Sequence, residues 1–209
     1  MRLLAAQLRD RQRRVSELNQ HVATLENLVL DRTGAAAADL TARVTQERDR
    51  FATEFRALGE PANTNVSLAE KLADSVHQLS LLRAQQQDWE TWRRDTAQAL
   101  KNTEERIRIG GVSEAVGLIL LAEKSRLKSL ALLKRSLAKL QTDLAQTRIN
   151  LIGLREQQSS LSDLGSAVEQ TLSRMPAPPP ERLNDLRTNA FRLLNTRAEI
   201  VQALLLQQT

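Results

Sequence analysis

The chain has 209 residues, a net charge of +5 and 41% hydrophobic residues, but only 2% aromatic residues and no cysteine. Because β-sheets draw on aromatic and β-branched side chains, this balance excludes most β-rich folds. The lack of cysteine excludes a disulfide framework and a cysteine-based zinc site. Leu, Ala, Gln, Arg, Glu and Lys, which dominate the chain, lose little rotamer freedom in a helix. The composition therefore predicts an all-α protein.

Apolar periodicity predicts two helices at the N-terminal end, over residues 3–30 and 35–58. Gly34 is predicted to end the first helix, because glycine readily adopts a positive φ at a helix C-terminus. The two helices are expected to form an antiparallel hairpin over residues 1–59. The first helix carries apolar residues at heptad spacing, with Arg11 in one slot: Leu4, Leu8, Val15, Leu18, Val22, Leu25 and Val29.

A second, longer helical hairpin is predicted over residues 60–165. The stretch 59–65 combines Gly, Pro and Asn, which predicts a loop. Ser67 and Glu70 have the spacing of a capping box, so a helix is expected to start there and to run to Ile109.

Two adjacent glycines, Gly110 and Gly111, are predicted to reverse the chain at the tip of this hairpin. Gly117, in the returning arm 114–161, is expected to allow the close approach of another helix. A shift of the apolar stripe predicts a bend near Ser125. The arm carries leucines at the alternating three- and four-residue spacing of a coiled-coil seam: Leu130, Leu133, Leu137, Leu140, Leu144, Leu151 and Leu154. If Leu137 and Leu144 are buried, replacing either by alanine should cost about 2–4 kcal/mol.

The last predicted segment, residues 166–209, contains a short helix over 167–173 and a final helix over 181–207. Successive prolines within 175–180 separate the two, because proline removes a backbone donor and fixes φ. The three segments together predict elongated antiparallel helical hairpins in a coiled-coil-like bundle.

The sequence offers no convincing catalytic or metal-binding pattern. His21 and His77 are the only histidines, and neither is followed by a second ligand three or four residues later. The glycines fit neither of the common phosphate-binding patterns. The chain is therefore predicted to be a non-enzymatic protein that holds no metal or cofactor.

Four arginines near the N-terminus, Arg9, Arg11, Arg13 and Arg14, form the main candidate for contact with an anionic surface. Their ligand would be the phosphates of lipid head groups or of nucleic acid. Acidic residues are interspersed with them, which favours an ordinary solvated helix face. The lack of nearby aromatic stacking residues argues against nucleic acid.

The stretch Gly-Gly-Val-Ser-Glu-Ala-Val-Gly-Leu-Ile-Leu over 110–120, followed by the leucine-rich arm that ends Leu-Ile-Gly-Leu-Arg-Glu-Gln over 151–157, resembles a known pattern. It is similar to the periplasmic helical region of large MscS-like mechanosensitive channels of the MscK type. The Leu- and Arg-rich tail over 182–194 resembles the same region, and the resemblance covers residues 68–207.

This resemblance implies a periplasmic module of a bacterial inner-membrane channel that opens under membrane tension, with a structural, gating-modulating or assembly role in osmotic protection. The expected partners are other subunits or the membrane domain of the same channel, with the membrane surface or cell wall as further contacts. No apolar run approaches the roughly 18 residues of a membrane span, so the resemblance also implies a longer parent protein. The alternatives are a cytoplasmic coiled-coil scaffold that joins partner proteins and a basic helical protein that binds nucleic acid.

Overall fold

The computed structural model describes residues 2–111, 114–126, 130–175 and 180–208. No β-strand occurs within these ranges, and the predicted all-α class is confirmed. Short 3-10 turns, Arg56–Leu58 and Pro180–Arg182, precede the second and the last α-helix. The α-helices are α1 (Arg2–Glu54), α2 (Gly59–Gly110), α3 (Glu114–Arg126), α4 (Leu130–Ser160), α5 (Leu164–Ser173) and α6 (Leu183–Gln208).

The chain divides into two compact units. Unit 1 comprises Met1–Gln78 and Leu154–Thr209, and unit 2 comprises Leu79–Gly153. Unit 1 therefore contains α1, the start of α2, the end of α4, and helices α5 and α6. It combines parts of the chain that lie far apart in the sequence.

The predicted helix end at Gly34 is wrong, because α1 runs through this residue without interruption. Four alanines, Ala35–Ala38, follow Gly34 directly, and alanine has the highest helix propensity of all residues. A single interior glycine costs only about 1 kcal/mol relative to alanine. Neighbouring residues with strong helix propensity therefore outweigh the glycine, and the predicted hairpin between 3–30 and 35–58 does not form.

The first helical hairpin is made instead by α1 and α2, with the reversal at Phe55. This residue has a non-helical backbone (φ −137°, ψ 63°), and the turn Arg56–Leu58 follows it. The Thr41 hydroxyl donates to the carbonyl oxygen of Ala69 at 3.4 Å, which joins positions equally far from Phe55 on either side. Helix α2 thus returns antiparallel to the second half of α1.

The predicted loop over 59–65 and the predicted cap at Ser67 are also wrong, because both lie inside α2. Gly59 has ordinary helical dihedral angles (φ −61°, ψ −43°). Pro61 is tolerated because it lies in the first turn, where a backbone N–H has no partner within the helix. Gly59 and Pro61 therefore begin this helix, although the composition of the segment predicted a loop.

A continuous apolar core holds unit 1 together. Its most deeply buried side chains include Phe51 from α1, Leu58 from the turn, and Leu193, Ile200 and Val201 from α6. Leu154 and Leu161, at and just after the end of α4, and Val168 of α5 belong to the same cluster. The final helix thus buries its apolar stripe against segments that precede it by more than a hundred residues.

Helix α5 is held by a cap at its N-terminus and by an ion pair from its middle to α6. The Asp163 carboxylate caps its N-terminus by accepting a hydrogen bond from the backbone N–H of Ser166 at 3.1 Å. Arg187 of α6 forms an ion pair of 2.7 Å with Glu169 of α5. The proline-rich stretch 176–179, predicted to separate these helices, lies outside the described residues.

Unit 2 buries little of its surface. Among the described residues of unit 2, only Thr103 is buried. Its hydroxyl donates to the carbonyl oxygen of Ala99 at 2.8 Å. The tryptophans Trp89 and Trp92 are half-buried and pack edge to face, with ring centroids 5.6 Å apart. Most of the described side chains of unit 2 are therefore exposed. Helix α3 ends at Arg126, and the residues just beyond the bend expected near Ser125 lie outside the described part of the chain.

Candidate helix-pairing interface

Helix α2 ends at the predicted glycine pair. Gly110 is its last residue, and Gly111 has a left-handed backbone with φ +64°. The backbone N–H of Gly111 donates to the carbonyl oxygen of Ile107 at 2.9 Å, which closes the last turn. Glycine is favoured here because a Cβ atom is strained at positive φ. Helix α3 begins three residues later, at Glu114.

Gly117 lies in α3 and is exposed. Apart from its own stretch of helix, no heavy atom of the described structure lies within 4 Å of the position that a Cβ atom would occupy. The expected close approach of another helix at Gly117 is therefore not found among the described residues.

Replacing Gly111 by alanine should lower the free energy of unfolding by about 1–2 kcal/mol, because the left-handed conformation penalises a Cβ atom. Replacing Gly117 by alanine should raise it by about 0.5–1 kcal/mol, since alanine has the higher helix propensity and nothing opposes the added methyl group. Tryptophan fluorescence in urea is a suitable probe, because both tryptophans lie in the same unit as the two glycines. Equal effects at the two positions would contradict the assigned helix end.

The predicted leucine seam of α4 is mostly exposed. Leu137, Leu140 and Leu144 are exposed, Leu133 and Leu151 are half-buried, and only Leu154 joins the core of unit 1. The side chain of Leu130 lies outside the described residues. The cost of 2–4 kcal/mol expected for buried leucines therefore does not apply to Leu137 or Leu144 within this chain.

The contrast along α4 gives a direct test. Leu154→Ala should lower the free energy of unfolding by about 2–3 kcal/mol, because a side chain only 8% exposed leaves a cavity when it is truncated. Leu144→Ala, on the same helix at 51% exposure, should change it by less than about 0.5 kcal/mol. Urea unfolding followed by far-UV circular dichroism measures both. A large loss at Leu144 would mean that this face of α4 is covered in solution.

The arginine cluster lies on an exposed part of α1. Arg13 pairs with Glu17 at 2.9 Å and Arg14 with Asp10 at 3.1 Å, each one helical turn away. These two arginines are therefore partly neutralised along their own helix. Arg9 and Arg11 are exposed as well.

A buried polar cluster joins α2 to α6, and the predictions from the sequence do not include it. Asn65 is only 2% exposed and donates from Nδ2 to the carbonyl oxygen of Leu193 at 2.8 Å. Its Oδ1 accepts from Nε of Arg197 at 2.9 Å, and Nη2 of Arg197 donates to the carbonyl oxygen of Pro61 at 2.8 Å. Burial lowers the pKa of the Arg197 guanidinium, because desolvation disfavours its charged form.

The cluster could have been recognised from its spacing. Apolar residues of α2 occur at alternating steps of four and three, and Asn65 occupies one of these slots between Ala62 and Ala69. A polar residue in a buried seam usually has a specific partner. The loop predicted for 59–65 concealed this signal.

The N-terminal half of α1 presents an unpartnered apolar stripe, called the α1 stripe below. Its residues lie at alternating three- and four-residue spacing, apart from one seven-residue step across Arg11, and are between 51% and 65% exposed: Leu8, Val15, Leu18, Val22, Leu25 and Val29. Among the described side chains of α1, Leu30 is the first that packs against the core. The α1 stripe thus has the pattern of a helix-pairing surface and no covering segment within the described chain.

The described ranges contain no group of three or more His, Cys, Asp or Glu residues that could hold a metal ion. Among the helices described, none is both long enough and apolar enough to cross a membrane.

These features define an all-α protein built from long helices and helical hairpins. Comparisons with protein-family models, with curated proteins and with solved structures each gave no match.

Proposed function

We propose that this chain is a non-catalytic periplasmic region of an MscS-like mechanosensitive channel, where its helices assemble with other subunits or with the membrane domain. The observation that carries the proposal is the helix end at Gly110 and Gly111. It lies at the start of the stretch whose sequence resembles the helical region of these channels, between the long helix α2 and the leucine-rich helices α3 and α4.

Two further features support an assembly role. The leucines of α4 that were predicted to form a seam leave an apolar face at Leu137, Leu140 and Leu144. The α1 stripe adds a second apolar face. Exposed apolar faces of this regularity are typical of helices that pair with other helices.

The decisive experiment uses the complete gene product that contains this chain. We expect it to encode several consecutive apolar spans of about 20 residues each. We also expect it to give tension-activated currents in membrane patches and to protect a channel-deficient bacterial strain against sudden dilution of the medium.

A gene product without apolar spans, or one that gives no current at any tension the patch survives, would contradict the channel proposal. A variant with a disrupted pore segment outside residues 1–209 serves as the control, because it should retain the helical region and lose the current. Currents that persist unchanged after deletion of residues 1–209 would contradict a gating role and leave only an assembly role.

A second candidate is a coiled-coil scaffold that joins partner proteins. The exposed faces of α1 and α4 favour it equally, since they would suit helices of unrelated partners as well as those of channel subunits. The hydropathy of the complete gene product separates the two candidates, because only the channel requires apolar spans.

A further inference from the structure

The α1 stripe follows a strict heptad from Leu8 to Val29. Written as a heptad, the a positions hold Leu8, Val15, Val22 and Val29, and the d positions hold Arg11, Leu18 and Leu25. This run of about three heptads meets the length at which a coiled-coil pattern becomes informative. All six apolar side chains of the stripe are at least half exposed. Burying them against another helix would remove apolar surface from water, and this would favour association.

We propose that the α1 stripe pairs in register with the α1 stripe of a second copy of this chain, as a parallel two-stranded coiled coil. The choice of partner follows from the branching of the side chains. Valine at a with leucine at d favours two parallel helices over three or four. Val15, Val22 and Val29 occupy a, whereas Leu18 and Leu25 occupy d.

The remaining faces of α1 suit this arrangement. The outer b, c and f positions are almost entirely polar and include the ion pair between Arg13 and Glu17. Apart from Leu28 at a g position and Ala23 at a b position, α1 is apolar along one narrow line between residues 8 and 29, which suits a pair, since a larger bundle would bury more of each helix. The polar face therefore limits the number of copies that can assemble around the stripe.

Polar side chains beside the stripe favour the parallel direction. In a parallel pair each g residue faces the e residue five positions later in the other helix, which places His21 opposite Glu26 of the second copy and Arg14 opposite Asn19 of the second copy. None of these contacts joins like charges. An antiparallel pair would instead bring g residues against g residues, so His21 would no longer face Glu26.

Arg11 provides a test in which a substitution should strengthen the dimer. In register, the two Arg11 side chains share one d layer, where like charges repel and the guanidinium groups resist burial. Arg11→Leu should therefore tighten the dimer, by about tenfold in the dissociation constant. If the α1 helices of two copies did not pair at this layer, Arg11→Leu would leave the dissociation constant unchanged.

The experiment is sedimentation equilibrium on the 209-residue chain over a wide concentration range. The wild-type chain should sediment as a reversible dimer. Leu18→Glu should raise the dissociation constant about a hundredfold or more, because each copy loses a buried leucine and the layer gains two like charges. Gln20→Glu is the matched control, since it adds the same charge at an outer f position and should leave the dimer intact.

Direction and register are tested by cysteine cross-linking, for which the chain is suited because it contains no cysteine. Leu18→Cys should form a disulfide-linked dimer rapidly under mild oxidation, whereas Gln20→Cys should not. Circular dichroism of every variant checks that the helices are retained.

A monomeric wild-type chain at all concentrations would overturn the proposal. So would a dimer that survives Leu18→Glu, or equal cross-linking at residues 18 and 20. The proposal rests on the α1 stripe alone and not on the proposed channel function. A failure to dimerise would therefore leave the channel experiment unaffected, and the absence of tension-activated currents would leave the dimer unaffected.

Discussion

Replacing Phe51 by alanine is expected to lower the free energy of unfolding by about 3–5 kcal/mol. Phe51 is 1% exposed and lies in the core of unit 1, with its ring packed edge to face against Phe55 at a centroid distance of 6.1 Å. Truncation removes a large apolar surface from contact and leaves a cavity that the surrounding helices fill only in part. Because Phe51 directly precedes the reversal at Phe55, the loss falls on the closed end of the α1–α2 hairpin.

Phe191→Ala is the matched control for this prediction. Phe191 lies on α6 of the same unit, but its side chain is 48% exposed. Its truncation should cost less than about 1 kcal/mol. The two variants are compared by urea unfolding followed by far-UV circular dichroism, because both tryptophans lie in unit 2 and fluorescence reports on that unit. Similar shifts in the two variants would refute the assigned packing of α1.

The second large effect is expected at Asn65. Asn65→Ala should cost about 3–4 kcal/mol, because it removes the acceptor of the Arg197 guanidinium and the donor to the Leu193 carbonyl in one step. Bonds to a charged group are worth more than neutral bonds, and the groups left without a partner are partly or fully shielded from water. Asn63→Ala, at an exposed position two residues earlier on the same helix, is the control and should be neutral or slightly stabilising.

A double replacement distinguishes the contribution of the hydrogen bonds between Asn65 and Arg197 from that of side-chain packing. Asn65→Leu together with Arg197→Met removes the buried polar side chains on both sides, so fewer polar groups are left without partners. The double variant should therefore be less destabilised than the sum of the two single variants by at least about 1 kcal/mol. Strict additivity in urea unfolding would show that Asn65 and Arg197 do not act as a unit.

The polar cluster also explains why α6 docks in one way. An apolar stripe such as the one along α6 can slide by one helical turn at modest cost, whereas the amide of Asn65 and the fork of Arg197 each reach a specific oxygen atom. We infer that the cluster fixes the register between α2 and α6. The apolar core around Leu193 and Ile200 supplies the larger part of the burial.

Several elements could be predicted from the sequence. The end of α2 at the glycine pair, the beginning of α3 at Glu114 and the apolar stripe of α6 follow from signals that act within one or two helical turns. Glycine at a left-handed helix end is such a signal, because its effect depends on the backbone at that residue. The periodic spacing of Leu186, Leu193 and Leu204 along α6 is another, and all three are buried.

The wrong predictions involve residues whose effect depends on what surrounds them. Gly34 resembles a helix end, yet the alanines after it and the packing of α1 against α2 favour a continuous helix. Pro61 resembles a loop residue, but it is harmless in the first turn of α2. The exposure of Leu144 and the burial of Leu154, in the same seam, depend on where other helices lie.

The sequence by itself determined that the protein is helical, because helical hydrogen bonds close within four residues and depend on nearby side chains. It also determined the heptad of the α1 stripe, since the period is a property of the residue order alone. Only the tertiary structure decided that the chain reverses at Phe55, that Asn65 and Arg197 meet, and that the α1 stripe stays exposed. These features join residues far apart in the chain, and their free energies depend on which surfaces remain to be buried once every helix has formed.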